Sequence, residues 1–315
     1  MIVTVTLNAA LDITYRVPRL RAAATHRVTD TAERPGGKGL NVARVLAALG
    51  HRAVVTGFAG GPTGAVLREL LASHRDGPSG AGVEDALTPI AGTTRRTVGV
   101  VDAESGDTTQ LNEAGPVVTR AEWDAFSETY AGLLTAPGTE AVALCGSLPP
   151  GLPVGSYAYL VRAAQAAGVP VLLDSSGEPL RRGVAAGPDL VKPNAAELAG
   201  LTGSTEPVRA ALEARRRGAR AVAASLGPDG MFVATADDGW QAAPPERLRG
   251  NPTGAGDSAV AGLLSGLAEG LSWPDRLARA VALSAATVAA PAAGEFDHEV
   301  YADLLPRVVV TERAG

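Results

Sequence analysis

Residues 141–173, AVALCGSLPPGLPVGSYAYLVRAAQAAGVPVLL, decide the fold class. Apolar runs at Ala141 to Leu144 and at Val169 to Leu173 are typical of buried strands, and Val154 to Ala167 between them has the periodicity of a helix. A strand, a helix and a second strand in succession form a crossover, which connects parallel strands. This unit therefore predicts an α/β chain built on a mostly parallel sheet.

The same alternation continues on both sides of this unit. Further strands are predicted at Val3 to Leu7, Ala53 to Gly57, Leu190 to Val191 and Ala221 to Ala224. Helical patterns follow at Leu40 to Leu49, Gly64 to Leu71 and Asn194 to Leu201. The chain then predicts a hairpin at Met231 to Ala236 and Gly239 to Ala242, and helices at Ala255 to Leu267 and Leu277 to Ala289. Crossover helices on both faces make the sheet doubly wound.

Two segments, residues 13–30 and 94–113, interrupt the alternation with short β-patterned stretches: ITYRV, RTVGVVD and TTQLN. Strands inserted from two places can pair into a small sheet over the C-terminal strand edge, where doubly wound folds bind ligands. We therefore expect a β-sheet lid on a single domain that spans residues 1–315. Residues 73–92 are rich in Gly, Pro, Ser and Asp, and predict an exposed connection.

The composition excludes several classes of protein. With 315 residues, 46% of them hydrophobic and 19% charged, the chain is neither disordered nor collagen-like. A net charge of −5 argues against binding the phosphates of nucleic acid. The N-terminus lacks a signal-peptide pattern, no apolar stretch is long enough to span a bilayer, and a single cysteine cannot form an internal disulfide. We expect a cytoplasmic protein without nucleic-acid or membrane partners.

The strongest signal for chemistry is Asn251-Pro-Thr-Gly-Ala-Gly-Asp257-Ser, which directly precedes an apolar helical pattern. Its glycines let successive backbone N–H groups turn toward one point, and the helix N-terminus adds partial positive charge. Such a site binds an anion. Because the Asp257 carboxylate would repel that anion, its presence suggests a general base beside a phosphate. The alternative is that Asp257 merely caps the helix.

A second glycine cluster, Pro35-Gly-Gly-Lys-Gly-Leu-Asn-Val-Ala-Arg44, also opens a helical pattern. Its spacing differs from the GxxxxGK[ST] of a P-loop and from the GxGxxG of a dinucleotide site. Gly37 lets the backbone approach a ligand closely, while Lys38 and Asn41 offer a charge and an amide to phosphate or sugar hydroxyls. The alternative is a tight turn with a solvent-facing lysine.

Lysine is rare in this chain: of 28 basic residues only Lys38 and Lys192 are lysines. Lys192 opens the motif Lys192-Pro-Asn-Ala-Ala-Glu197, which follows a short predicted strand and begins a helix. The side-chain oxygens of Asn194 and Glu197 suit Mg²⁺, which takes few direct protein ligands. The same residues would also serve as an N-cap and its capping-box partner, without any metal.

Three other positions follow predicted strands or lie in the predicted lid. Asp12 closes the first strand at the ligand-binding edge and could accept a hydrogen bond from a sugar hydroxyl. The Arg95 guanidinium could pair with a substrate phosphate, although Arg95 or its neighbour Arg96 could equally be a surface arginine. The glycines of Ser225-Leu-Gly-Pro-Asp-Gly230 either flank a nucleotide or only form a turn.

Together these motifs resemble the PfkB, or ribokinase-like, family of carbohydrate kinases over nearly the whole chain. They occur in the family's order: GGKGLNVAR, GSLPPGLP, KPNAAEL, SLGPDG and NPTGAGDS. TLNAALD, the Thr-Arg pair before a lid strand and LNEAGP look most like the branch of 1-phosphofructokinase and tagatose-6-phosphate kinase. The resemblance implies transfer of phosphate from ATP, with Mg²⁺, to a ketohexose phosphate, such as fructose 1-phosphate to give fructose 1,6-bisphosphate. It also implies a homodimer formed through the lids.

The resemblance further implies a role for each matching residue. Asp257 would be the general base, and the backbone of Gly254, Ala255 and Gly256 would be the anion hole. The sugar phosphate would be bound by Asp12, Gly37, Lys38, Asn41 and Arg95. ATP would be bound by Lys192, Asn194, Ser225, Gly227, Gly230, Thr253 and Gly256, and Mg²⁺ by Glu197 and Asn194 through water.

Two positions depart from the branch pattern. Ala9 stands where the branch has the proline of Asn-Pro-Ala, and Thr97 stands where it has asparagine. Both lie on the predicted sugar side. The sequence therefore leaves open tagatose-6-phosphate kinase or 6-phosphofructokinase activity, a kinase of an unphosphorylated sugar or nucleoside, and a noncatalytic sugar-phosphate sensor. A nicotinamide-dependent oxidoreductase is disfavoured, since no GxGxxG follows the first strand.

Overall fold

The computed structural model describes residues 1–73, 82–290 and 292–313, whose strands form two sheets. The strands are β1 Ile2–Thr6, β2 Ala10–Val17, β3 Asp30–Gly36, β4 Ala53–Gly60, β5 Val83–Ile90, β6 Arg95–Asp102, β7 Thr108–Asn112, β8 Ala141–Cys145, β9 Val171–Asp174, β10 Leu190–Val191, β11 Ala221–Ser225, β12 Met231–Ala234, β13 Gly239–Ala242 and β14 Val310–Arg313. The helices are α1 Lys38–Ala48, α2 Gly61–Ser73, α3 Arg120–Thr135, α4 Ser156–Ala166, α5 Gly177–Val184, α6 Ala195–Thr202, α7 Pro207–Arg216, α8 Ala255–Ala268, α9 Trp273–Ala289 and α10 His298–Leu304.

The main sheet has ten strands in the order β14-β13-β12-β11-β10-β9-β8-β1-β4-β5. From β11 to β5 all neighbours are parallel, and β12, β13 and β14 then continue the sheet in antiparallel fashion. The prediction of a mostly parallel doubly wound sheet is confirmed, and so is the predicted hairpin. No helix in the described part of the chain is long and apolar enough to cross a membrane.

Central strands are buried on both faces, as a doubly wound arrangement requires. In β1, which is fully buried, Ile2 packs into the core on the side of α1, α8 and α9, whereas Val3 and Val5 pack on the side of α3 and α4. Because parallel strands end at one edge, the residues that follow β1, β8, β9, β10 and β11 all reach the same side of the molecule. That edge positions the candidate site.

The small sheet consists of β3, β2, β6 and β7, and its existence confirms the predicted separate strands. Its central strands β2 and β6 run parallel, with Asp12 opposite Thr97. The boundaries differ from the prediction at two points: β2 begins at Ala10, before the predicted Ile13, and β3 extends to Gly36. The predicted end of ITYRV at Val17 is the end of β2, since Pro18 has no N–H to donate. Since β2 follows β1 after a three-residue link, the small sheet begins directly at the ligand-binding edge of the main sheet.

One sequence prediction fails. Residues 83–90 were expected to belong to an exposed connection, but they form β5 at the edge of the main sheet. Val83 and Leu87 are buried there in the core on the side of α2, and Ile90 in the core on the side of α3, so their packing outweighs the turn-forming residues nearby. Residues 74–81 of the same predicted connection lie outside the described residues.

Candidate active site

A cavity of about 770 Å³ lies between the C-terminal strand ends of the main sheet and the small sheet. It brings together the residues predicted to bind the sugar phosphate, which come from β2, the start of α1 and β6. It also gathers most of the predicted catalytic, nucleotide and metal residues. The residues that line it and that the sequence predicted for the site are Asp12, Gly37, Lys38, Asn41, Arg95, Lys192, Asn194, Glu197, Ser225, Thr253, Gly254, Gly256 and Asp257.

Helix α8 begins at this cavity, and its first turn carries the candidate base. Gly254 is the N-cap residue, with φ +87 and ψ −8, a left-handed conformation that favours glycine. The first N–H groups of a helix have no acceptor within it, so this turn can bind an anion. Gly254 and Gly256 line the cavity, whereas the Ala255 N–H donates to Pro252 O at 3.2 Å and closes the turn.

Asp257 is the carboxylate at this helix start, and only 7% of it is exposed. Its Oδ2 accepts a hydrogen bond of 2.8 Å from Asn41 Nδ2. Burial, together with the nearby carboxylate of Asp174, raises the pKa of Asp257 to about 6, although Asn41, Lys38 and Lys192 act in the opposite direction. A carboxylate with a pKa closer to neutrality is a stronger base than an exposed aspartate.

The two lysines of the chain meet at Asp174. Lys38 Nζ lies 3.1 Å from Asp174 Oδ1, and Lys192 Nζ lies 3.7 Å from Oδ2. A Cβ on Gly256 would lie 3.5 Å from Lys192 Nζ, which places that ammonium beside the turn that opens α8. The pair of ammonium groups therefore concentrates positive charge where phosphate oxygens could bind.

Burial disfavours the charged form of Lys38, but the carboxylates of Asp174, Glu197 and Asp257 raise its pKa above the ordinary lysine value. Lys38 therefore stays cationic at neutral pH. Sequence reasoning missed Asp174, which is 1% exposed. The signal was available, since this residue ends a buried strand at the ligand-binding edge.

Asn194 and Glu197 form a capping box at the start of α6. Asn194 Oδ1 accepts from the Glu197 N–H at 2.8 Å, and Glu197 Oε2 accepts from the Asn194 N–H at 2.9 Å. The capping alternative for this pair is thus present in the structure. Both residues nevertheless line the cavity, on the same side as Lys192.

On the sugar side, Asp12 was expected to close the first strand, but β1 ends at Thr6 and Asp12 lies within β2 of the small sheet. Burial raises its pKa to about 6, although a hydrogen bond from Thr97 and the charges of Arg95 and Arg44 oppose the shift. A Cβ on Gly36 would lie 2.1 Å from Asp12 Cγ, so only glycine fits beside this carboxylate. Thr97, which departs from the branch pattern, thus hydrogen-bonds Asp12, a residue predicted to bind the sugar.

Arg95 is held in the cavity by backbone acceptors. Its Nε donates to Asn8 O at 3.1 Å and its Nη1 to Glu113 O at 3.2 Å. Asn8, which sequence reasoning did not assign to the site, is buried, and its Nδ2 donates to Ala114 O and to Ser147 Oγ. Arg95, Asn8 and Ser147 also line a smaller pocket of about 240 Å³ that includes Lys38.

The predicted nucleotide loop after β11 is only partly in the cavity. Ser225 lines it, whereas Gly227 and Gly230 do not. Both glycines have positive φ, +61 and +87, and belong to the turn that leads into β12. A Cβ on Gly230 would lie 2.0 Å from Ala242 O, so this glycine permits close packing of the turn against β13.

Comparisons with known proteins agree with this architecture. The profile described as pfkB family carbohydrate kinase matches residues 4–299. A 1-phosphofructokinase from Rhodobacter capsulatus is 40% identical over 291 residues, which is 90% of this chain and 90% of that protein.

Solved structures are similar over almost the whole chain. Phosphofructokinase-2 from Escherichia coli in complex with fructose-6-phosphate has a TM-score of 0.87 at 31% identity, covering 97% of this chain and 98% of that one. The same enzyme in a tetrameric inhibited form also has a TM-score of 0.87 at 31% identity and the same coverage. A possible 1-phosphofructokinase from Thermotoga maritima has a TM-score of 0.86 at 26% identity, covering 100% of both chains.

Proposed function

The chain belongs to the pfkB family of carbohydrate kinases, and from this premise we propose that it transfers phosphate from ATP to fructose 1-phosphate, giving fructose 1,6-bisphosphate. A sugar-phosphate kinase that uses ATP accords with the named relatives. One observation carries the catalytic part of the proposal: Asp257 is buried at the N-terminus of α8, within the cavity that also holds Lys192 and Arg95.

Asp257 is the proposed general base. It accepts the proton of the acceptor hydroxyl as that oxygen attacks the terminal phosphorus of ATP, and the bond to the ADP oxygen breaks. The amides of Gly254 and Gly256 and the ammonium of Lys192 would offset charge on the moving phosphoryl group. Ala255 supports this anion hole by closing the turn, through its N–H to Pro252 O.

The nucleotide would lie along the strand ends from Lys192 to Ser225 and reach the start of α8 at Thr253. In this proposal Asn194 shapes the site as the cap of α6. The turn glycines Gly227 and Gly230 would set the backbone conformation of the loop beside the nucleotide. They would not contact the nucleotide from within the cavity.

Mg²⁺ is the proposed metal, and the donors present fit it. The described residues contain no cluster of three or more acidic, histidine or cysteine side chains that would enclose a metal. Glu197 lines the cavity, and within the described structure the buried Asp174 Oδ2 accepts no hydrogen bond. Such a sparse oxygen set suits an ion that keeps water and phosphate ligands. Glu197 would hold the ion, directly or through water, with Asn194 beside it, and the bound ion would neutralise phosphate charge.

The substrate's own phosphate is proposed to bind at the other end of the cavity, near Arg95 and Lys38, while Asp12, Gly37 and Asn41 hold sugar hydroxyls. Two cations at this end favour a phosphorylated sugar over a neutral one. The small sheet would act as a lid, which excludes water that competes with the sugar hydroxyl. Its strand β7 is exposed along its whole length, as a surface that pairs in a homodimer would be.

A substrate screen tests the proposal. ADP release is measured with ATP and each of fructose 1-phosphate, fructose 6-phosphate, tagatose 6-phosphate and fructose, and Asp257→Asn serves as the inactive control. We expect the highest kcat/KM with fructose 1-phosphate. A preference for fructose 6-phosphate would favour 6-phosphofructokinase activity instead, since the similar phosphofructokinase-2 structure holds that ligand. A preference for unphosphorylated fructose would contradict the role of Arg95, and binding without ADP release would indicate a sensor.

A further inference from the structure

Arg44 is a buried arginine on the helix face that also carries Asn41. The two residues are three apart in α1, and the Arg44 side chain is only 6% exposed. Its guanidinium points away from solvent and must therefore find acceptors within the protein. The proposed reaction assigns this arginine no role, although it lies one turn from the hydrogen-bond partner of Asp257.

The acceptors come from residues 292–296, which follow α9. Arg44 Nη1 donates to Ala293 O at 3.1 Å, and Nη2 donates to Glu295 Oε1 at 2.8 Å. Between them, Gly294 has φ +76, and a Cβ there would lie 2.9 Å from Arg44 Nη1 and 3.0 Å from Asn41 Oδ1. The backbone of this segment therefore lies directly on Arg44 and Asn41, where only glycine fits.

The same segment contacts the start of α8. A Cβ on Gly254 would lie 2.8 Å from Ala293 Cα, so Ala293 packs against the N-cap of the helix that carries Asp257. Residues 292–296 thus lie between α1 and the turn that forms the anion hole. A shift of this segment would change the spacing of Asn41 and Asp257, whose side chains are hydrogen-bonded.

We propose that Arg44, through its contacts with Ala293 and Glu295, is a positioning residue that fixes α1 against the start of α8 and so orients Asp257. The inference rests on the proposed kinase function. It adds a residue that does not itself line the cavity. Misplacement of reacting groups by about 1 Å can cost on the order of 100-fold in rate, so a positioning residue acts mainly on kcat.

Glu295 extends this connection to the small sheet. Arg34 Nη2 of β3 lies 3.6 Å from Glu295 Oε1, the same oxygen that Arg44 contacts. Arg34 stands opposite Asp12 in the pairing of β3 with β2. One carboxylate therefore joins the small sheet, α1 and the segment against α8, and the position of the small sheet is coupled to the orientation of the base.

Steady-state kinetics of Arg44→Met provide the first test. We expect kcat to fall about 10- to 100-fold, with KM for ATP and for the sugar phosphate changed less than about 3-fold. The acidic limb of the kcat/KM profile should move to higher pH, because a weakened Asn41 hydrogen bond raises the pKa of Asp257, while Asp174, Lys38 and Lys192 still face it. Arg44→Lys should recover part of kcat.

Arg279→Met is the matched control. Arg279 is also largely buried and paired with a glutamate, Glu269, but near the opposite end of α8. Its replacement should leave kcat and the pH profile unchanged. If Arg44→Met folds and keeps kcat within about 2-fold, or loses only substrate affinity, the positioning role is wrong. Should Arg44→Met not fold, Glu295→Gln replaces it, with a smaller loss of kcat expected and an unchanged kcat overturning the proposal.

Hydrogen–deuterium exchange separates this inference from the proposed reaction. Arg44→Met should increase amide exchange in peptides that cover residues 251–258 and 292–296, and Arg279→Met should not. This result does not depend on turnover. If the unmodified protein phosphorylates no sugar, the proposed function fails, while faster exchange in Arg44→Met still supports the positioning role of Arg44. Unchanged exchange in both peptides overturns the inference.

Discussion

Asn41 Nδ2 donates a hydrogen bond of 2.8 Å to Asp257 Oδ2, and the two residues are 216 positions apart in the sequence. Each lies in the first turns of its helix, Asn41 in α1 and Asp257 in α8. The amide fixes one oxygen of a carboxylate that is otherwise strongly desolvated. Orientation of the candidate base therefore depends on how two distant glycine-rich helix starts pack together.

Asp257→Asn should abolish most of the activity. An amide cannot accept the proton of the acceptor hydroxyl, so we expect kcat to fall about 10²- to 10⁴-fold, the usual contribution of a general base. Binding of ATP and sugar phosphate, measured by calorimetry, should persist. Turnover within a few-fold of the unmodified protein would contradict the assignment of the base.

The same substitution should stabilise the fold at neutral pH. The pKa of Asp257 is about 6 in the folded protein against 3.8 as its ordinary value, so ionising it costs folding free energy as pH rises through this range. Replacement by a neutral amide should raise the free energy of unfolding at pH 7 by up to about 3 kcal/mol. Urea titrations should show this gain shrink as the pH falls toward 3.8. A variant that is less stable at pH 7 would count against the burial argument.

The pH dependence of kcat/KM should show an acidic limb near pH 6, because protonated Asp257 accepts no proton. Asp174→Asn removes a nearby negative charge and should lower the pKa of Asp257, so the limb should move to lower pH while the maximal kcat falls. Asp124→Asn, an exposed carboxylate of α3, is the control and should leave the limb in place. A shift in the opposite direction after Asp174→Asn would exclude this electrostatic account.

Adjacent arginines offer a matched test of the sugar side. Arg95→Ala should raise KM for a sugar phosphate about 10- to 100-fold, since a charge-assisted hydrogen bond is lost, and should leave KM for ATP nearly unchanged. Arg96 is exposed and paired with Glu113, so Arg96→Ala should have little effect. Equal effects of the two substitutions would mean that Arg95 does not bind the phosphate.

The two cavity glycines of α8 should respond differently to alanine. In Gly256→Ala the new Cβ would lie 3.5 Å from Lys192 Nζ, an ordinary contact, so the fold should persist while kcat drops as the methyl group crowds the anion hole. In Gly254→Ala a positive φ and a 2.8 Å approach to Ala293 Cα should destabilise the fold by about 1–3 kcal/mol. Thermal unfolding and kcat of both variants check this contrast. Full activity in Gly256→Ala would contradict the anion hole.

Much of the fold was predictable because its signals are local. Buried strands in the middle of a parallel sheet are continuous apolar runs, and glycine motifs mark the starts of α1 and α8, so the gathering of their residues at one edge follows from topology. By contrast, β5 was missed because its edge position leaves Glu84 and other side chains exposed. Local pattern alone cannot tell an edge strand from a connection.

Parts of the site could not be predicted, because they depend on contacts across strands. Asp174 contributes to the site through its ion pairs with Lys38 and Lys192. These three residues lie at or just after the ends of three different strands, so only the fold brings them together. Asn8 supports Arg95 with a backbone oxygen, which no sequence pattern reveals. Likewise, the pKa of Asp257 follows from burial and from charges that the fold alone brings near.

The scarcity of lysine gives amine-reactive reagents very few targets. The α-amino group of Met1 is paired with Glu140, the Lys192 side chain is 4% exposed, and the Lys38 side chain is 38% exposed. Because Lys38 stays cationic at neutral pH, acylation needs alkaline conditions, under which the more exposed Lys38 should react more readily than Lys192. A label on Lys38 would then report occupancy of the cavity, and ligands that cover this amine would shield it from modification.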